Sequence, residues 1–210
     1  MNEEKEKEKN IKASENIRKE NVQTKEFVLS DGVRNCFEWV ESIITALILV
    51  ILIFTFFFRI VTVQGSSMYP NLQDKYRLIL SSFLYQPKQN DVVVITHTNG
   101  LTEPIIKRVI AVAGQKVNID YKKGIVYVDG KALDESAYIK NGITHEPNTS
   151  EPLLTLPQAV PAGHVFVLGD NRSVSEDSRF TAVGMVEAKY ILGKAEIIVF
   201  PFNHVGKVKG

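Results

Sequence analysis

The most constraining feature of this chain is an uncharged run, IITALILVILIFTFFF, at residues 43–58. Only Thr45 and Thr55 interrupt it, and no polar stripe recurs at helical spacing, so a helix built from it has no side to turn towards water. As a helix the run spans ~24 Å at ~1.5 Å per residue, short of the ~30 Å that hydrocarbon requires. Flanking residues make up the difference. Trp39 and Val40 extend the start, and Arg59, whose stem can lie against apolar surroundings while its head reaches water, is followed by IVTV. The core helix of a soluble domain would keep a polar face, so the run predicts a membrane anchor over residues 42–59. The tail before it is too long for a secretory signal, and no A-x-A pattern follows, so the anchor is expected to be uncleaved.

Residues 1–41 begin MNEEKEKEKNIKASENIRKEN. So polar a stretch cannot bury a core and predicts a disordered, solvated tail or a loose helix. Positive charge does not orient the anchor: Lys25 and Arg34 lie before it, and Arg59, Lys75 and Arg77 after it. The single cysteine, Cys36, lies on the tail side. That suits a cytoplasmic N-terminus and an extracytoplasmic remainder of a cell-membrane protein. One cysteine also excludes an intrachain disulfide and a Cys-rich metal site. His97, His145, His164 and His204 are scattered and form no ligand pair, so no metal is expected. With a net charge of +1, no basic field points to nucleic acid.

Residues 60–210 read as a mainly β domain. DVVVIT (91–96), IIKRVIAVA (105–113), KVNIDY (116–121), GIVYVDG (124–130), HVFVLGD (164–170) and KAEIIVF (194–200) are short, β-branched and bounded by turn-forming residues. Asp129-Gly130 reads as a hairpin turn. Residues 131–162 are polar and irregular, as expected of an insertion or lid on the sheet.

Three stretches carry groups that suit chemistry. In VQGSSMYPNL (63–72), Ser67 follows the apolar run by nine positions. The plain reading is a flexible juncture; the chemical one is a nucleophile held close to a bilayer. A serine hydroxyl needs a base to become reactive. In PIIKRVIAV (104–112), strand alternation puts Ile105, Lys107 and Val109 on one face and Ile106, Arg108 and Ile110 on the other. Branched apolar neighbours disfavour the charged form of Lys107. Arg108, which cannot deprotonate, is expected in an ion pair on the opposite face. In LGDNRSVSEDSRF (168–180), acids and arginines crowd one loop. It is either an ordinary loop of Asx and Ser turns or a buttress for a side chain that orients Lys107.

Together GSSMYPNL, NDVVVI, IKRVIAVAG and GDNRSVSEDSR, in that order and behind an apolar anchor, resemble the type I signal peptidases, in particular the small bacterial kind with one N-terminal anchor and a Ser-Lys dyad. The match spans residues 43–203. The resemblance implies an antiparallel β-sheet catalytic domain of signal-peptidase type. It implies removal of signal peptides after small residues at A-x-A sites, with exported preproteins as substrates, the lipid bilayer and secretion machinery as partners, and no cofactor. It assigns Ser67 as nucleophile, Lys107 as general base, Ser175 as a hydrogen-bonding partner of the lysine, and Asp177 and Arg179 as a structural pair. Val61, Val63, Met68, Leu72, Ile105 and Ile106 match the lining of the substrate pockets.

The chain departs from that pattern at three places. Asn71 stands where a threonine is usual, Asn90 where Gly is common, and Gly65 where some members place a serine that donates to the oxyanion. The last change leaves the oxyanion to backbone N–H groups, chiefly that of Ser67. Two other readings stand beside this one. Self-cleaving SOS repressors share the Ser-Lys logic but are soluble and carry a DNA-binding head. A catalytically inactive membrane protein that binds signal peptides or scaffolds secretion would also carry the anchor.

Overall fold

The computed structural model describes residues 31–98, 100, 101, 103–139 and 143–210; most of the expected disordered tail, residues 1–30, lies outside the described residues. Helix α1, Asp31–Phe57, contains most of the expected anchor and extends beyond its start. It begins well before residue 42, so residues 31–41, read as tail, are helical. Their charged side chains are compatible with a helix exposed on all sides, and Arg34 and Glu38 face each other at 3.9 Å across one turn. Within the helix, Ser42 Oγ donates to the Glu38 carbonyl at 2.8 Å and Thr55 Oγ1 to that of Ile51 at 2.7 Å. The hydroxyls are thus satisfied by the helix itself, which is how two threonines can interrupt an apolar run. Gly32–Leu52 is long and apolar enough to cross a membrane and is buried nowhere in the protein.

At its other end α1 stops at Phe57, and Phe58 and Arg59, assigned to the anchor, open a strand, β1 (Phe58–Thr62). Val50–Gly210 forms one compact unit. Its remaining strands are β2 (Arg77–Ser81), β3 (Val92–Ile95), β4 (Ile105–Val112), β5 (Lys116–Asp120), β6 (Ile125–Val128), β7 (Lys131–Ala132), β8 (Gln158–Ala159), β9 (His164–Leu168), β10 (Val186–Glu187), β11 (Ile191–Phe200) and β12 (Gly206–Lys207). The fold is mainly antiparallel β. The larger sheet runs β1-β2-β11-β3-β4-β9-β10, with β12 added to β11; the smaller runs β7-β6-β5-β8.

The expected hairpin joins β6 to β7, with Val128 opposite Lys131. Asp129 (φ 52°) and Gly130 (φ 77°) both lie in the left-handed region, as a two-residue type I′ turn requires. Among its described residues the irregular stretch 131–162 carries only β7 and β8, yet Glu135, Tyr138, Ile139 and Thr144 are buried, so it packs back onto the domain.

Strand β4 sits between β3 and β9 and is covered on both faces. Val93 pairs with Lys107 and Val92 with Arg108, and the ladder to β9 shifts register between Val109 and Ala111. A lysine and an arginine in such a strand must each find a partner or lose its charge. Their two answers build the site.

Candidate active site

The turn bearing Ser67 is pinned at its base and its far side. Val63 N donates to Tyr76 O at 2.8 Å and Lys75 N to Val63 O at 2.9 Å. Beyond Ser67, Leu72 N donates to Met68 O at 2.9 Å, and the side chains of Met68 and Leu72 are sunk in the core. At Gly65, φ is +80° and the amide donates to Asp74 Oδ1 at 3.0 Å. Nothing lies within 4 Å of the position a Cβ would take. Glycine is therefore favoured by backbone conformation rather than by space, and a serine there would be strained.

Lys107 is 3 % exposed, and its Nζ donates to Ser67 Oγ at 2.9 Å. Burial pushes the lysine below its ordinary pKa. The carboxylates of Asp177, Glu176 and Asp170 oppose that shift and Arg179 assists it. Among these charges Asp177 opposes it most, although its carboxylate is also bonded to Arg179. Its two oxygens take Arg179 Nε at 2.8 Å and Nη2 at 3.0 Å, and Oδ2 also accepts from Gly169 N at 3.1 Å.

Arg179, fully buried, continues to the carbonyls of Arg172 (2.8 Å), Ser175 (3.2 Å) and His145 (3.3 Å). One guanidinium thus ties together the loop that follows β9. The hydroxyl of Ser175, expected to bond Lys107, is buried and has no hydrogen-bond partner among the described residues. The lysine amine is turned to Ser67 instead. Ser175 is nevertheless close by. A Cβ at Gly169 would lie 2.1 Å from Ser175 Oγ and 2.6 Å from Ser67 O. Gly169 is therefore where the loop passes against the serine's own backbone, and Asn171 N completes the contact by donating to Ser67 O at 2.9 Å.

On the opposite face of β4, Arg108 makes the expected ion pair. Its Nε and Nη2 meet Asp170 at 2.7 and 2.8 Å, and its Nη1 reaches the carbonyls of Asn90 and Lys209 at 2.8 and 2.9 Å. The guanidinium also lies 4.1 Å from the centre of the Tyr138 ring. Two departures from the family pattern acquire physical reasons here. Asn71 Nδ2 donates to both Tyr138 O (2.7 Å) and Asp170 Oδ2 (2.8 Å), a pair of bonds that a single threonine hydroxyl could not donate. Asn90 sits at φ 72°, in the left-handed region that asparagine tolerates best after glycine. Arg172, from the same loop as Arg179, reaches Glu135, Thr144 and Gly169 O and so bonds the 131–162 stretch to the site.

Beside Ser67 and Lys107 opens a cleft of about 610 Å³. Of the six expected lining residues, Val61, Ile105 and Ile106 border it. Val63, Met68 and Leu72 do not: they are packed into the core cluster beneath. β1 ends at Thr62, so strand alternation no longer aims Val63, and the side chains of Met68 and Leu72 are buried beneath the turn. Unanticipated parts of the lining are Thr62, Gln64, Val94, Glu103, Pro104 and Leu192. Glu103 and Pro104 directly precede the lysine strand and were within reach of sequence reasoning. Leu192 arrives from β11, far along the chain, and carries no local signal.

The family model "Signal peptidase, peptidase S26" matches residues 36–200. The chain belongs to the S26 signal peptidase family. Signal peptidase I T of Bacillus subtilis (strain 168) is 36% identical over 180 residues, covering 82% of this chain and 89% of that protein. Signal peptidase IB of Staphylococcus aureus (strain N315) is 34% identical over 178 residues, covering 79% of this chain and 90% of that protein. A crystal structure of a signal peptidase I from Enterococcus faecalis V583 is 29% identical; the match covers 52% of this chain and 97% of that one, with a TM-score of 0.40. Membership of the S26 signal peptidases makes the chain a peptidase that removes signal peptides.

Proposed function

We propose that this chain is a membrane-anchored serine endopeptidase in which Ser67 is the nucleophile and Lys107 the general base, cutting exported preproteins after small residues at A-x-A sites. The observation that carries the reading is the 2.9 Å separation of Lys107 Nζ from Ser67 Oγ, at a lysine whose burial favours the neutral amine. A neutral amine takes the hydroxyl proton as Ser67 Oγ attacks the carbonyl carbon. The negative charge on the resulting tetrahedral oxygen falls to backbone donors. The Ser67 amide makes no hydrogen bond among the described residues and is available for that part. Collapse passes the proton from Lys107 to the leaving amine. Water, deprotonated in turn by Lys107, then releases the acyl group. Asp177 and Arg179 hold the loop against which Ser67 rests, and Ser175, packed against Gly169, is within the same neighbourhood as a further positioning group.

Apolar walls from Val61, Ile105 and Ile106 favour small uncharged side chains before the cut. The anchor keeps the enzyme at the bilayer from which signal peptides emerge and raises its local concentration there. The proposed orientation is N-terminus cytoplasmic and catalytic unit outside, beside the secretion machinery.

The test is processing of a purified preprotein carrying an Ala-x-Ala site. Wild type is expected to cut it, Ser67→Ala to stay folded and inactive, and Ser66→Ala, at an exposed position, to retain most activity. Absence of processing by wild type would favour a binding or scaffold protein. An inactive Ser66→Ala beside an active Ser67→Ala would shift the nucleophile by one residue.

A further inference from the structure

A second hollow, of about 300 Å³, lies beyond the Ser67 turn. Tyr69 and Pro70 form one wall, Ile143 and His145 of the 131–162 stretch another, and Asn171 and Ser173 of the loop after β9 a third. None of these residues has a part in the proton transfers described above. We propose that this hollow receives the first residues of the mature protein, the segment on the carboxyl side of the scissile bond, as an extended peptide that sets an apolar side chain against Tyr69 and Ile143. The inference rests on the peptidase reading of Ser67.

A polypeptide cut at an internal bond leaves Ser67 in two directions. The cleft bordered by Val61, Gln64 and Ile106 accounts for one of them. The two openings share the serine turn between them: Gln64 and Ser67 face the cleft, while Tyr69 and Pro70 face the hollow. Asn171 ties the second opening to the serine directly. Its backbone N donates to Ser67 O at 2.9 Å and its Nδ2 to Ser66 O at 3.1 Å, while its Oδ1 accepts from Ser173 Oγ at 2.9 Å. A peptide leaving Ser67 on that side therefore meets a wall fastened to the serine itself.

The surface chemistry suits such an occupant. Tyr69 is 53 % exposed and Ile143 45 %, so two large apolar groups stand uncovered, and covering them is favourable. Ser173 and His145 offer polar atoms to a peptide backbone. Asp170 and Arg172 also line the hollow, but Asp170 is bonded to Arg108 and Arg172 to Glu135. The site is thus preformed and presents no uncompensated charge to an incoming chain.

The experiment uses the full chain in detergent and two peptides identical through an Ala-x-Ala site. One ends two residues after the cut; the other continues for eight, with leucines in its first positions. For wild type, kcat/KM of the long peptide is expected to exceed that of the short one by about tenfold or more, the scale of a filled apolar subsite. Ser173→Trp, which fills the hollow, and Ile143→Asp, which places a charge on its wall, should each bring that ratio towards one, mainly by raising KM for the long peptide. Both positions are exposed, so the fold should tolerate the changes, and cleavage of the short peptide reports that it does. A wild-type ratio of one, or a ratio unmoved in both variants, overturns the proposal while leaving the peptidase reading intact. Cleavage of neither peptide by wild type overturns the peptidase reading and this inference with it.

Discussion

A lysine amine at the floor of an apolar cleft has lost most of its hydration, and its charged form is what that loss penalises. Burial lowers the pKa of Lys107 in the fold, whereas an unfolded chain keeps it near ~10.4. Between those two values the unfolded state binds more protons, so stability should rise with pH across that window. Below it both states are charged, and the cost of burial is at its full value. Thermal melts between pH 7 and pH 10 should therefore climb for wild type, and Lys107→Met should lose that part of the slope. At pH 7 the variant is expected to melt at or above the wild-type temperature and to have no peptidase activity. Wild-type activity should rise with pH along a limb set by the lowered pKa. If Lys107→Met unfolds while Ser67→Ala stays folded, the lysine is a charged structural residue and the proposed dyad is wrong. Gly169 gives a second test at this scale. A methyl there would meet both Ser175 Oγ and Ser67 O well inside contact distance, so Gly169→Ala forces a shift that is expected to reach Ser67. A displacement of about 1 Å can cost on the order of a hundredfold in rate. A kcat reduced that far with an unchanged circular dichroism spectrum is the expected result, and full activity would mean that the loop relaxes without disturbing Ser67.

At the scale of elements, the loop after β9 and the 131–162 stretch are joined by a buried ion pair. Arg172 and Glu135 have side chains only 4% exposed each. Removing one partner of such a pair strands the other's charge and costs about 3–5 kcal/mol, whereas replacing both by apolar groups of similar size is often near neutral. Arg172→Met should therefore lower the urea midpoint sharply, and adding Glu135→Leu should recover most of the loss. Equal midpoints for the single and double variants would show that Glu135 finds other compensation. This pairing was not legible in the sequence, where Glu135 is one acid in a polar stretch. What could be read followed local rules: alternation along β4 separated Lys107 from Arg108, and the Asp129-Gly130 turn set the β6–β7 hairpin. β1 could not be read because FRIVT directly abuts the apolar run, its first residues reading as anchor and the rest as the anchor's flank, and only its pairing with β2 makes it a strand. β7, β8, β10 and β12 are two residues long, too short for any periodicity. Motif order brought Ser67 and Lys107 forward, but it could not say that Met68 and Leu72 point inward, because spacing in a turn does not fix side-chain direction.

For the molecule as a whole, the unexplained feature is apolar surface outside the cleft. Phe83 and Leu84, in the connection from β2 to β3, are 60 % and 83 % exposed. Ile60 on β1 (68 % exposed) pairs with Ile79 on β2, which pairs with Ile197 on β11 (39 % exposed), giving a row of isoleucines across the sheet. The proposed function supplies a use for such surface: an enzyme whose substrate emerges from a bilayer gains by resting on it. The test is a chain of residues 58–210. Starting at 58 rather than 60 keeps Phe58 and Arg59, which pair with Ser81 and Leu80, so β1 stays whole. This fragment should cosediment with vesicles of zwitterionic lipid, where net charge contributes little. Fully burying a Leu or Phe side chain is worth ~1.5–3 kcal/mol, and ~1.4 kcal/mol is tenfold in affinity. Even partial insertion of both side chains predicts that Phe83→Ser with Leu84→Ser weakens vesicle binding by at least about tenfold. Because both residues are exposed in the folded protein, the melting temperature should hardly change. Vesicle binding that survives the double substitution, accompanied by a clear loss of thermal stability, would give Phe83 and Leu84 an ordinary packing role instead.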